Sequence, residues 1–231
     1  MKVEQFKKKF EHVFSRSKME RPQKLYEFNL VRKLFDPCPT VKGMASIKKL
    51  QLLNIAYSFI QNDECYLEVG TYNGKSLIAA MLKNTLHETY ACDNFSQFND
   101  TSSQEILFDN LARYGLKDKV TFFNDDFKKI LDGRFIKKPI GLYLYDGAHN
   151  LESQYQGIKI AEPLLSNSAL IIVDDWRYAD DSHSFAKEGT MKAIAESRHR
   201  YELLYELPAR FNGDQAMWWN GVGVIAFQRK E

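Results

Sequence analysis

Cysteine is scarce in this chain of 231 residues, with three in all, at positions 38, 65 and 92. Three thiols cannot build a disulfide framework. Cys65 and Cys92 fall inside apolar runs, where a thiol behaves as a small hydrophobe. No stretch comes near the roughly 18–20 apolar residues that a bilayer-crossing helix requires. The first ten residues, MKVEQFKKKF, carry no apolar segment behind their charges, so a secretory signal is not expected and the default compartment is the cytoplasm. No repeat or low-complexity tract is visible, and the six prolines are scattered rather than gathered into a linker. The dinucleotide fingerprint G-x-G-x-x-G is missing as well.

What is present is ordinary globular material: 44% hydrophobic residues and 27% charged ones exclude wholesale disorder. The length suits one domain with a full core, with room for a small appendage. Charge is unevenly spread. The first 50 residues hold 13 Lys and Arg against 5 Asp and Glu, and the remainder carries an excess of six acids. Such a basic head suits nucleic acid or an anionic surface. However, no nucleic-acid-binding motif accompanies it. Its lysines are interleaved with Phe6, Phe10, Val13 and Phe14 at helical spacing, so an amphipathic helix with a solvated face is the preferred reading.

From residue 47 onward, helix-like and strand-like segments alternate. Helices are expected over 47–61, 75–83, 103–114, 151–165 and 185–196. Strands are expected over 65–69, 88–92, 119–123, 140–145, 169–173, 201–206 and 222–227. This alternation implies βαβ units: a doubly wound, mainly parallel α/β sheet of seven strands with helices on both faces. Residues 1–45 lie outside it and are expected to form a helical extension capping the sheet edge or the site mouth, with the main domain at 46–231. In such sheets ligands bind beyond the carboxyl ends of the strands.

The first strand runs into Glu68-Val69-Gly70-Thr71-Tyr72-Asn73-Gly74-Lys75-Ser76, where one glycine permits close backbone approach and a second opens a helix. Asp93 closes the second strand, 19 residues past Gly74, where an acidic residue accepts hydrogen bonds from ribose hydroxyls. Asn124-Asp125-Asp126-Phe127 follows the third strand, placed for the exocyclic amine of adenine, with Phe95 and Phe127 as flanking rings or plain core. The fourth strand ends in Asp146-Gly-Ala-His149 and the fifth in Asp174-Asp175-Trp176. Three carboxylates converging there would repel one another, and a hard divalent cation such as Mg²⁺ removes that conflict. The alternative is that Asp175 caps the next segment and Asp146 positions a ligand. His149 suits a base taking a proton from a substrate hydroxyl, or else a helix-start residue. His183 is a weaker candidate, and His12, His87 and His199 read as surface residues.

These motifs together resemble the class I S-adenosylmethionine-dependent methyltransferases. The loop 67–76, the run Tyr145-Asp-Gly-Ala-His149 and the strand end Ile171-Ile-Val-Asp-Asp-Trp176 are similar to the small-molecule O-methyltransferases related to the macrocin and catechol enzymes. The resemblance covers residues 62–176. It implies a Rossmann-like fold and cofactor contacts at Glu68, Gly70, Thr71, Tyr72, Gly74, Ser76, Asp93, Asn94, Asp125, Asp126 and Asp146. Of these, Glu68, Gly70 and Gly74 would surround the methionine part. It also implies a Mg²⁺ or similar ion at Asp146, Asp174 and Asp175, and catalysis by His149 and Asp146 on a hydroxyl of a small sugar, catechol-like or natural-product acceptor. Some relatives carry an acidic residue two positions after the first metal carboxylate. Here that place is Ala148, so the base is His149 or comes from elsewhere. The loop 208–220, with Arg210, Phe211, Trp218 and Trp219, would recognise the acceptor, anchor to the core, or contact a second copy in a homodimer. The rival readings are an NAD-linked oxidoreductase and a non-catalytic protein that kept the fold.

Overall fold

The computed structural model describes residues 1–24, 40–97, 102–131, 133–176 and 184–231. A seven-stranded sheet forms the centre of the described residues. Its strands are β1 (Cys65–Val69), β2 (Glu88–Cys92), β3 (Thr121–Phe123), β4 (Ile140–Tyr145), β5 (Leu165–Asp174), β6 (Arg200–Leu207) and β7 (Val222–Gln228). Their spatial order is β3-β2-β1-β4-β5-β7-β6. The first five run parallel, and β7 enters antiparallel between β5 and β6. The expectation of a mainly parallel, doubly wound sheet therefore holds. β1 and β4 are buried along their whole length, as strands covered on both faces must be.

Side chains alternate between the faces with the period of two that a strand imposes. Tyr66, Leu142, Leu144, Leu170 and Ile172 join one apolar cluster, and Leu67, Tyr143, Tyr145, Ile171 and Val173 join the other. The first face is covered by α1 (Val3–Val13), α3 (Ile47–Tyr57), α4 (Lys75–Met81) and α5 (Ser103–Arg113), the second by α6 (Phe127–Ile130), α7 (Leu151–Ala161) and α8 (Ala186–Ala195). A short helix, α2 (Arg16–Glu20), follows α1.

The amphipathic reading of the amino-terminal stretch fits what α1 does, and its buried face reaches Tyr205 on β6, the edge strand of the sheet. Phe6 and Phe10, four residues apart and both fully buried, share the cluster that also contains Leu52, Trp218 and Val224. Phe10 lies 4.9 Å, centroid to centroid, from Tyr205, and Phe14 lies 5.1 Å from Trp218. Trp218 is buried and donates Nε1–H to the Met19 carbonyl at 2.8 Å, so it anchors the chain and is closed to any ligand ring. The Lys48 ammonium donates to the carbonyls of Lys18 and Arg21, tying α3 to the same segment.

Several element ends differ from expectation. The helix over 47–61 stops at Tyr57 and that over 75–83 at Met81. The helix over 151–165 ends at Ala161, where Pro163 enters a 3₁₀ turn, and β5 starts at Leu165, four residues early. His199 is a correction too: it is buried, packs edge-on against Phe227 at 5.4 Å, and its Nδ1 accepts the Lys230 N–H. Its apolar neighbour lies on β7, 28 residues on, beyond the reach of a local pattern. His183 falls outside the described residues.

Candidate active site

The carboxyl ends of β1, β2 and β4 come together around Gly70. Its backbone N–H donates to the Cys92 carbonyl, and the next strand's Asp146 N–H donates to the Val69 carbonyl. Gly70 has φ +86°, and a Cβ built there would lie 1.8 Å from the Asp146 carbonyl oxygen. Only glycine permits that approach. Gly74, at φ +83°, begins α4, and a Cβ there would meet Leu107 at 2.6 Å. Gly74 thus opens a helix, while the close approach at Gly70 is to the backbone of Asp146.

Asp93 turns back over this loop. Its Oδ2 accepts the Tyr72 N–H at 2.7 Å and its Oδ1 accepts the Phe95 N–H at 2.8 Å. Burial pushes its pKa up, and those two donors oppose the rise. A cavity of about 290 Å³ opens beside it, lined among others by Asp93, Asp125, Asp126, Phe127, Ala148 and His149. A second, of about 60 Å³, lies across Gly70 and Asp146 and is lined by Met44, Lys49, Thr71, Tyr72, Asn73 and Ser76. Gly70, Asp93 and Asp146 border both, so the two form one bent crevice.

Not every expected contact reaches it in the expected way. Glu68 is fully buried beneath the loop, accepting from Tyr66 OH at 2.6 Å and Ser76 Oγ at 2.7 Å, and it lines neither cavity. Burial pushes its pKa up to about 7 against the pull of those two donors. Asn94 lines the larger cavity, with its Oδ1 taken by Ser96. Asp125 also lines it, but pairs with the Lys129 ammonium at 2.8 Å. Asp126 caps α6, its Oδ1 accepting the Lys128 N–H.

The three remaining acids meet: one oxygen of each of Asp146, Asp174 and Asp175 lies within 4.8 Å of the others. They are not alone. Lys49, on α3, is almost wholly buried, with Nζ 3.0 Å from Asp146 Oδ2 and ion-paired to Asp174 Oδ2. Burial opposes its charge, but Asp146 and Asp174 outweigh that and raise its pKa. Burial and the Asp146 charge raise the pKa of Asp174, with Lys49 opposing. Asp175, at φ +50°, accepts Asn220 Nδ2–H at 2.6 Å and stands 3.1 Å from His149 Nδ1. His149 precedes α7, whose cap is Asn150, and its ring is 38% exposed at the cavity wall.

Lys49, Asn73 and Asn220 were not singled out from the sequence. Lys49 had a signal: it stands four and seven residues before Leu53 and Ala56, on the apolar face of α3. Asn73 sits in the glycine loop with Oδ1 buried and without a hydrogen-bond partner among the described residues. Asn220 had none, because its partner lies 45 residues away.

Residues 67–176 match a family described as a methyltransferase domain. Among solved structures the chain is similar to the O-methyltransferase TomG of Streptomyces achromogenes, involved in tomaymycin synthesis and determined with S-adenosylmethionine. That match has a TM-score of 0.60 and 17% identity over 96% of this chain and 98% of that one. It is also similar to an O-methyltransferase of Bacillus cereus determined with S-adenosylhomocysteine, at TM-score 0.59 and 16% identity over 96% and 99%. No curated protein sequence matches.

Proposed function

We propose, on the premise that this chain, whose residues 67–176 match a methyltransferase domain, is an S-adenosylmethionine-dependent methyltransferase, that it methylates a hydroxyl oxygen of a small molecule. The observation that carries this reading is the seat of Asp93 against the Gly70–Gly74 loop, at the bend of a two-lobed crevice. The crevice fits the methyl donor. The larger lobe, near the lower end of the roughly 300–1,000 Å³ of small-molecule sites, has Asp93 for ribose hydroxyls and Phe127 for a base. The smaller has the orphaned acceptor of Asn73, suited to the amino group of the methionine part.

When bound, the donor supplies an electrophilic methyl on a sulfonium; the sulfur keeps the electron pair as the methyl passes to oxygen. The chain must orient the acceptor and take its proton. Asp175 fixes His149 through Nδ1, which leaves Nε2 to accept that proton. Asp146, shared by both lobes, would hold the acceptor end in place. The O-methyltransferases of similar fold support oxygen as the acceptor atom.

A metal-assisted version draws on the three converging carboxylates, whose oxygens are the donors Mg²⁺ prefers. The residues do not fit it: the seat between Asp146 and Asp174 is taken by the Lys49 ammonium, and Asp175 is engaged by His149 and Asn220. Calorimetric titration with S-adenosylhomocysteine and with NAD⁺ tests the function. Binding of the sulfur nucleoside alone supports it, and binding of NAD⁺ alone or of neither overturns it.

A further inference from the structure

We infer that Lys49 is the cation of the carboxylate cluster, standing where a divalent ion would sit, and that the site works without a metal. The inference rests on the methyltransferase reading for its functional meaning and on geometry for the rest. Three carboxylates gathered in a largely buried site need positive charge. Lys49 delivers it from α3, on the first covered face of the sheet, and bonds both Asp146 and Asp174. Burying a lysine is costly unless it is paired, and here the pairing is double. Asp175, the third carboxylate, is turned to His149 Nδ1 and Asn220 Nδ2. Each member of the triad is thus answered by a group of the chain itself.

Two of the three N–H donors of Lys49 are spent on these acids. The third is left for an oxygen entering the smaller cavity, which Lys49 lines. Ala148 belongs to the same arrangement: it adds no fourth carboxylate to the three that Lys49 faces. One atom argues the other way and makes the inference testable. Asp174 Oδ1 is buried without a hydrogen-bond partner among the described residues, and a metal would compete through it.

The test uses Mn²⁺, followed by the loss of its free-ion paramagnetic resonance spectrum and by thermal denaturation, on the full chain. The wild type is expected to bind no Mn²⁺ at millimolar concentration and to show an unchanged melting temperature. Lys49→Met, which vacates the seat and keeps volume, is expected to bind Mn²⁺ at least about tenfold more tightly than the wild type and to be stabilised by it. Lys49→Arg keeps the charge, guards against a Lys49→Met variant that does not fold, and is expected to stay blind to Mn²⁺. Mn²⁺ binding by the wild type that Asp174→Asn abolishes overturns the inference. So does a folded Lys49→Met that ignores Mn²⁺, or an Lys49→Arg that takes it up. S-adenosylhomocysteine titrated into the same wild-type sample separates the two claims, because its failure to bind sinks the proposed function and leaves the Mn²⁺ result readable.

Discussion

Gly70 and Asp146 touch backbone to backbone across the top of the sheet, with 1.8 Å between the Cβ that residue 70 lacks and the carbonyl oxygen of residue 146. A side chain there cannot rotate away from a backbone atom held by the Asp146 N–H to Val69 bond. Gly70→Ala therefore has to separate β1 from β4 at the crevice or leave φ +86°, at a cost of at least about 1–3 kcal/mol in strain. Calorimetry is expected to show loss of S-adenosylhomocysteine binding, with circular dichroism reporting whether the fold survives.

Asp93→Asn keeps the shape of the side chain, but removes the charge and one of the two oxygens that accept the Tyr72 and Phe95 amides. Hydrogen bonds to a charged group contribute about 1.5–3 kcal/mol, so S-adenosylhomocysteine affinity is expected to fall about tenfold to a hundredfold. An unchanged affinity would remove Asp93 from the ribose position.

Asn73→Ala deletes the orphaned acceptor without touching the backbone contacts of the loop, since Asn110 bonds the Asn73 carbonyl and not its side chain. Affinity for S-adenosylhomocysteine is expected to fall while that for adenosine alone does not. Equal losses for both ligands would place Asn73 at the wrong end of the crevice.

Glu68 gives a pH prediction. Its pKa in the fold is raised, from 4.5 to about 7, so the folded state favours the protonated acid. That contribution is complete below the unfolded pKa and is lost as pH rises through about 7. Denaturant unfolding of the wild type is expected to lose up to about 3 kcal/mol between acidic and mildly alkaline pH, a slope that Glu68→Gln removes. Parallel curves for the two proteins would show that Glu68 is charged throughout.

Phe10→Ala tests whether α1 is part of the core or an accessory. Phe10 is fully buried against Phe6, Phe14, Tyr205 and Trp218. Truncating such a ring costs about 3–5 kcal/mol. One cooperative transition at lower denaturant is expected; an unchanged midpoint would mean that α1 detaches freely.

The alternation of strand and helix was readable because both periods are local: two residues for a strand, 3.6 for a helix. The glycine loop and Asp93 were readable because turn chemistry and a spacing of about 20 residues carry them. Two things were left open or missed: which of its three readings Trp218 follows, and the partners of the acidic cluster. Phe6 and Phe10 announce an apolar stripe without saying which surface receives it. Trp218 reads the same whether it stacks a ligand or, as found, meets Met19 and Phe14 from across the chain.

The alternation of strands and helices and the tight turn at Gly70 were settled within the sequence itself, by hydrophobic period and by two glycines that admit what no side chain does. What fills the acidic cluster was decided only by the fold. Lys49 meets Asp146 and Asp174 across 97 and 125 residues of chain. A buried ammonium is tolerable only once distant carboxylates have been carried to it, and the local pattern that sets Lys49 on an apolar face names neither of them.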